Sequence, residues 1–171
     1  LQVAIVGGGM VGAALALLLV QRARVPAASV LLLEPEPAQP LPAGAPFELR
    51  VSAISPGNRQ LLQQLGAWQL MDLARVEAYE CMAVWPESTP PDSPDVLRFD
   101  AAELCEPDLG SIVENRNLQA ALLARCAAIG ITPSASRLTS LSVSPAGARL
   151  GLDGRSLEVE LVVGADGASS A

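Results

Sequence analysis

Val3-Ala4-Ile5-Val6-Gly7-Gly8-Gly9-Met10-Val11-Gly12 opens the chain, and the uncharged run at residues 13–20 continues it. Four small or β-branched apolar residues predict a buried strand at residues 2–6, three glycines predict a turn, and the Ala- and Leu-rich stretch predicts a helix at residues 10–22. Residues 3–20 carry no charge, which meets the length of a membrane span, and Gly8 and Gly12 have the GxxxG spacing of membrane helix pairs. Three consecutive glycines near the start, after a β-rich run, argue against one continuous helix. The alternative is a G-x-G-x-x-G turn between strand and helix. There Gly7 permits the tight bend, Gly9 lets backbone approach a pyrophosphate, and Gly12 lets the helix pack closely on the strand. The helix N-terminus, at Met10 and Val11, offers free N–H groups and a partial positive charge to phosphates.

Residues 29–33 predict a second buried strand, completing a βαβ unit and hence a parallel sheet. Glu34 follows directly, 22 residues after Gly12. A carboxylate at that strand end accepts hydrogen bonds from ribose hydroxyls and repels a 2′-phosphate, so an adenosine with a free ribose, as in FAD or NAD, is preferred over NADP.

Composition narrows the chemistry. The 171 residues suit one domain, and half of them are hydrophobic, which excludes disorder. The net charge is −7 and the eleven basic residues are all scattered arginines, so no phosphate-tracking stripe for nucleic acid exists. Histidine and lysine are absent, which removes imidazole bases, Ser-His-Asp systems, His-ligated metals and Schiff-base lysines. Difficult chemistry here should come from a bound cofactor. Cys81, Cys105 and Cys126 lack CxxC spacing and read as reduced core thiols of a cytosolic protein, with no metal site.

Further along, residues 35–46 hold five prolines and predict an exposed connection. Ser55 and Pro56 begin a helix over residues 56–65 that Gly66 closes. Residues 79–85 and 96–99 predict two antiparallel strands flanking a Pro-rich loop around residues 87–94. Residues 112–113 form a brief extended piece, and a helix follows over residues 115–128, which Asn115 would cap. Residues 138–143, 148–152 and 157–163 predict an antiparallel three-stranded β-meander with a turn at Asp153-Gly154. Taken alone, Arg50 and Arg116 read as solvated charges, and Asp166-Gly167 as a turn.

In order, GGGMVG (7–12), Glu34, RVSAIS (50–55) before a helix ending in LGAW, IVENRNLQAALL (112–123) and GADGASS (164–170) resemble the group A flavoprotein monooxygenases, most of all the ubiquinone-biosynthesis (polyprenyl-phenol) hydroxylases. The resemblance implies a Rossmann-like, glutathione-reductase-type FAD domain, with Gly7, Gly9, Gly12 and Glu34 holding the ADP half of FAD. It implies that Arg50 lies near the flavin and pyrophosphate, and that Asn115 or Arg116 makes a polar FAD contact. Leu141 would offer backbone contacts to adenine, and Asp166 and Gly167 would match a motif associated with both FAD and NAD(P)H. The implied reaction uses NAD(P)H and O2 to hydroxylate a lipophilic aromatic ring. The implied setting is cytoplasmic, at the inner-membrane periphery or in a biosynthetic complex. Other two-dinucleotide oxidoreductases, or a non-catalytic nucleotide-binding module, are the alternatives. Family members run to more than twice this length and continue into a substrate domain and a second FAD motif. The chain is therefore expected to be the N-terminal part of an FAD-binding domain that alone binds FAD weakly or not at all and hydroxylates nothing.

Overall fold

Three short parallel strands organise the molecule, which a computed structural model describes over residues 1–167. β1 (Val3–Val6) lies between β2 (Val30–Leu33) and β11 (Leu161–Gly164), with Val3 opposite both Val30 and Leu161. Helix α1 (Met10–Gln21) crosses from β1 to β2, as the βαβ pattern predicts. The period-2 alternation of the strands then assigns two faces. Val3, Ile5, Val30 and Leu32 pack with Ala13, Ala16 and Leu17 of α1 and with Leu118, Ala121, Leu122 and Cys126 of α3 (Asn115–Ala128). Ala4, Leu33 and the neighbouring Val6, Leu31 and Val162 pack against Ala148, Leu150, Leu152 and Val159 of the meander. Each fully buried Leu or Ile in these layers contributes about 1.5–3 kcal/mol.

The meander is β8 (Leu138–Ser144), β9 (Gly147–Leu152) and β10 (Arg155–Val159). Asp153 and Gly154 turn it with φ of 42° and 82°, the double left-handed geometry that Asp-Gly supplies. A second antiparallel sheet has the order β3 (Val51–Ile54), β7 (Gly110–Glu114), β4 (Val76–Tyr79). A ribbon of β5 (Cys81–Val84) and β6 (Leu97–Asp100) adjoins it in sequence. Helix α2 (Pro56–Leu65) starts as predicted, with Ser55 Oγ accepting from Asn58 N–H, and ends on Gly66 at φ 76°.

Four expectations are corrected. The single strand at 157–163 is two, divided at Glu160: β10 completes the meander while β11 joins β1. The strand at 79–85 divides at Glu80, because the Glu80 carbonyl already accepts from Ala101 N–H while that of Tyr79 accepts from Leu109 N–H. The brief piece at 112–113 is a five-residue central strand, paired on both sides. Of the cysteines only Cys126 is in the core; Cys81 and Cys105 are exposed. Among the described residues no helix is long and apolar enough to cross a membrane, and α1 is 12 residues long.

Candidate functional site

The parallel strands end together at Val6, Leu33 and Gly164, and beyond these carboxyl ends opens a cleft of about 430 Å³. This is the edge at which open parallel sheets bind ligands. It is lined by Gly7 and Gly9 of the glycine turn, by Glu34 and Pro35, by Ser136, Arg137 and Leu138, and by Ala165, Asp166 and Gly167.

Gly7 has φ 104°, and a Cβ there would run into the Ala165 carbonyl. The turn is pressed against the segment leaving β11, whose Ala165 N–H donates to Val6 O at 2.7 Å. A Cβ on Gly12 would overlap the Gly7 carbonyl, so α1 sits as close to β1 as the spacing implied. At Gly9 an added Cβ would meet nothing within 4 Å, which leaves the backbone open to a ligand. No side chain caps α1, and its first turn holds no acid. The amides of Met10, Val11 and Gly12 precede the first helical bond, from Ala13 N–H to Gly9 O. Val11 is exposed, whereas Met10 leans on the core.

Glu34 is fixed by backbone. Its Oε2 accepts from Gly8 N–H at 2.9 Å and its Oε1 from Glu36 N–H at 3.1 Å. A carboxylate has about four acceptor positions, so two remain for a ligand. Gly8, which the motif left without a role, is thus the link between turn and acid, and its carbonyl accepts from Gln119 Nε2 at 3.1 Å. The middle glycine of Gly7-Gly8-Gly9 was the available sign of the first contact; Gln119 lies within the IVENRNLQAALL stretch, where nothing set it apart from its neighbours.

The remaining candidates divide between two places. Asp166 and Gly167 border the cleft, Gly167 with φ 75°, while Ala168–Ser170 of the GADGASS stretch lie outside the described residues. Leu141 is half-exposed on β8 and lines a neighbouring cavity of about 390 Å³, which shares Val6, Leu138 and Asp166 with the first. Arg50, Asn115 and Arg116 sit together where β3 and β7 meet α3. The Arg50 carbonyl accepts from Asn115 N–H at 3.0 Å, and Asn115 Oδ1 accepts from Ser52 Oγ at 2.7 Å. Asn115 is therefore the first helical residue and not the cap; Glu114 holds the cap position, and its side chain is engaged elsewhere. Arg116 donates to the Gln39 carbonyl and pairs with Glu48 at 3.2 Å, binding the Pro-rich connection to α3. These three do not line the cleft, but α3 reaches its wall one turn later through Gln119.

Glu114, at 2% exposure, is gripped by Arg75 through Nε at 2.5 Å and Nη2 at 2.7 Å, and accepts from Glu48 N–H. The hydrogen bond from Arg75 holds its carboxyl below the usual range against the opposing effect of burial. Arg75 also donates to the carbonyls of Ala45 and Pro46 and lies 4.7 Å from the Phe47 ring centre. Burial pushes the Cys126 thiol up to about 11. Among the described residues no cluster of three potential metal ligands occurs. The cleft thus offers backbone donors, the oriented carboxylate of Glu34 and the side chains of Asp166 and Arg137, groups suited to binding a polar ligand.

No family model matches the chain. The 3-demethoxyubiquinol 3-hydroxylase of Escherichia coli (strain K12) is 40% identical over 121 residues, covering 71% of this chain and 29% of that protein. The ubiquinone biosynthesis monooxygenase COQ6, mitochondrial, of Homo sapiens is 33% identical over 182 residues, covering 99% of this chain and 38% of that protein. The ubiquinone hydroxylase UbiL of Rhodospirillum rubrum is 34% identical, with the same two shares. The chain spans about a third of the length of the curated relatives it matches. Among solved structures, the tetrameric form of 2-methyl-3-hydroxypyridine-5-carboxylic acid oxygenase superposes with a TM-score of 0.66 at 25% identity, over 99% of this chain and 40% of that one. The anhydrotetracycline hydroxylase OxyS from Streptomyces rimosus superposes with a TM-score of 0.68 at 20% identity, over 99% and 32%, and shows the shared fold.

Proposed function

We propose, from the premise that its homologues are hydroxylases and monooxygenases of ubiquinone biosynthesis, that this chain supplies the ADP-binding part of an FAD-dependent aromatic hydroxylase. The observation that carries the reading is the uncapped, acid-free start of α1 behind an open Gly9, facing an oriented Glu34 across the carboxyl ends of three parallel strands. These residues fit FAD. The amides of Met10 and Val11, with the helix dipole, receive the pyrophosphate, and Gly9 leaves it room. Glu34 accepts from the ribose hydroxyls with its two spare positions and rejects a 2′-phosphate by like charge. Gly7 and Gly12 set the turn, and Asp166 and Gly167 close the cleft beside it. Arg50 with Asn115 or Arg116 extends the site toward the flavin, and Leu141 borders the adjoining cavity. When bound, the flavin supplies the oxidation chemistry that a chain without histidine or lysine does not supply itself.

The whole protein takes NAD(P)H as reductant, O2 as oxidant and a polyprenylated phenol as substrate, and works in the cytoplasm at the inner-membrane periphery or within a biosynthetic complex. The relatives' names, a hydroxylase and a monooxygenase, support the hydroxylase reading over a general two-dinucleotide oxidoreductase or a non-catalytic nucleotide module. The test is Gly9→Val in the full-length protein, where the branched side chain fills the space left for the pyrophosphate. Flavin absorbance should stay with the wild type through gel filtration and be lost from the variant, with unchanged far-ultraviolet dichroism. Equal flavin content in the two proteins would overturn the assignment.

A further inference from the structure

The lining of the cleft includes a cation that no motif marks, Arg137. Residues 134–138 run beside β2: Ser134 N–H donates to Leu32 O at 2.8 Å, and Ser134 O accepts from Glu34 N–H at 2.9 Å. Arg137 N–H donates to Asp153 Oδ2 at 3.0 Å, which fixes its backbone to the meander turn. Its side chain, 68% exposed, reaches Glu36, itself 89% exposed, at 3.9 Å. A pair that long and that exposed adds almost nothing to stability, so the guanidinium is free to change partners. Among the described residues lining the cleft, Arg137 is the one cation, and it shares the lining with the carboxylates of Glu34 and Asp166.

Position along the cleft assigns its use. The pyrophosphate belongs at the head of α1 and the ribose at Glu34, so the contact with Glu36, two residues farther on, puts Arg137 at the outer end, where the base must lie. There Leu138 and Pro35 supply apolar edges. We infer that Arg137 is a specificity-determining residue that covers one face of the adenine with its planar guanidinium, while its charge offsets Glu34, Glu36, Asp153 and Asp166 around an anionic ligand. This inference rests on the dinucleotide reading above.

The experiment uses full-length protein stripped of flavin, titrated with FAD, ADP and FMN. R137A should weaken FAD and ADP alike by about 5- to 30-fold, the scale of a guanidinium–aromatic contact. FMN, which lacks the adenosine, should bind as it does to wild type. R137K keeps the charge without the plane and should recover only the electrostatic part, with affinities between those of R137A and wild type. FAD and ADP affinities unchanged in R137A, a parallel loss for FMN, or full wild-type affinity in R137K would each overturn the inference while leaving the dinucleotide site standing. Wild-type protein that binds neither FAD nor ADP would overturn both.

Discussion

Replacing Glu34 by alanine removes three interactions of different kinds, and the structure separates them. Two are internal, to the amides of Gly8 and Glu36 at 2.9 and 3.1 Å, and both exist before any ligand arrives. Their loss lowers the stability of free and bound protein together and largely cancels in an affinity. The third is the bond to the ribose, present only in the complex. A hydrogen bond to a charged group contributes about 1.5–3 kcal/mol, so the dissociation constant should rise by about 10- to 150-fold. Titration of flavin-free, full-length protein with FAD by fluorescence, and with ADP by calorimetry, measures it. ADP carries the same ribose without the flavin and should lose the same factor. Glu34→Gln should also relax the rejection of adenosine 2′,5′-diphosphate, because the repelling charge is gone while the shape stays. Affinities for FAD and ADP within twofold of wild type would mean that the carboxylate only braces the turn. A loss for FAD alone would place its action away from the ribose.

Gly12→Ala should cost about 1–3 kcal/mol, since the new methyl group overlaps the Gly7 carbonyl and must push α1 off β1; an unchanged urea midpoint would refute the close approach. Glu114 has its carboxyl held below the ordinary range in the folded state, so its contribution is full at neutral pH and is lost as pH falls through that depressed value. Glu114→Gln should therefore be less stable at pH 7 and show a shallower loss toward pH 3, and parallel stability profiles for variant and wild type would contradict this. Cys126, buried and pushed up to about 11, should resist thiol labelling at pH 8 until denaturant is added, whereas Cys81 and Cys105 label in the native protein. Mass spectrometry of the peptides would show an error if Cys126 labels alongside them.

The βαβ unit was legible because its signals are local: an apolar strand, a glycine turn that only glycine can make, and an acid at the next strand end. The changes of partner at Glu80 and Glu160 were not legible. A chain that stays extended while leaving one sheet for another needs no proline, glycine or polar cluster to do so, and β10 and β11 therefore read as one strand. Asn115 resembles a cap by residue type, but Ser52 takes its side chain and Glu114 its position. The part of the cleft lining at residues 136–138 was hidden for another reason. Ser134 lies about a hundred residues from Leu33, and the single bridge between them has no pattern of its own.

The pairing of β1 with β11 joins residues about 160 apart, a long-range parallel contact of the kind that forms late in folding. Gly7 is bent against Ala165, and Ala165 in turn donates to Val6, so the turn after β1 has its backing only once β11 has docked. During synthesis residues 3–12 emerge well before β11, so their phosphate-facing geometry is unsupported and β1 keeps one edge open until residues 161–164 have followed. The cradle is thus completed only by the last strand described, and damage to β11, far from the glycines in sequence, should be felt at the glycines.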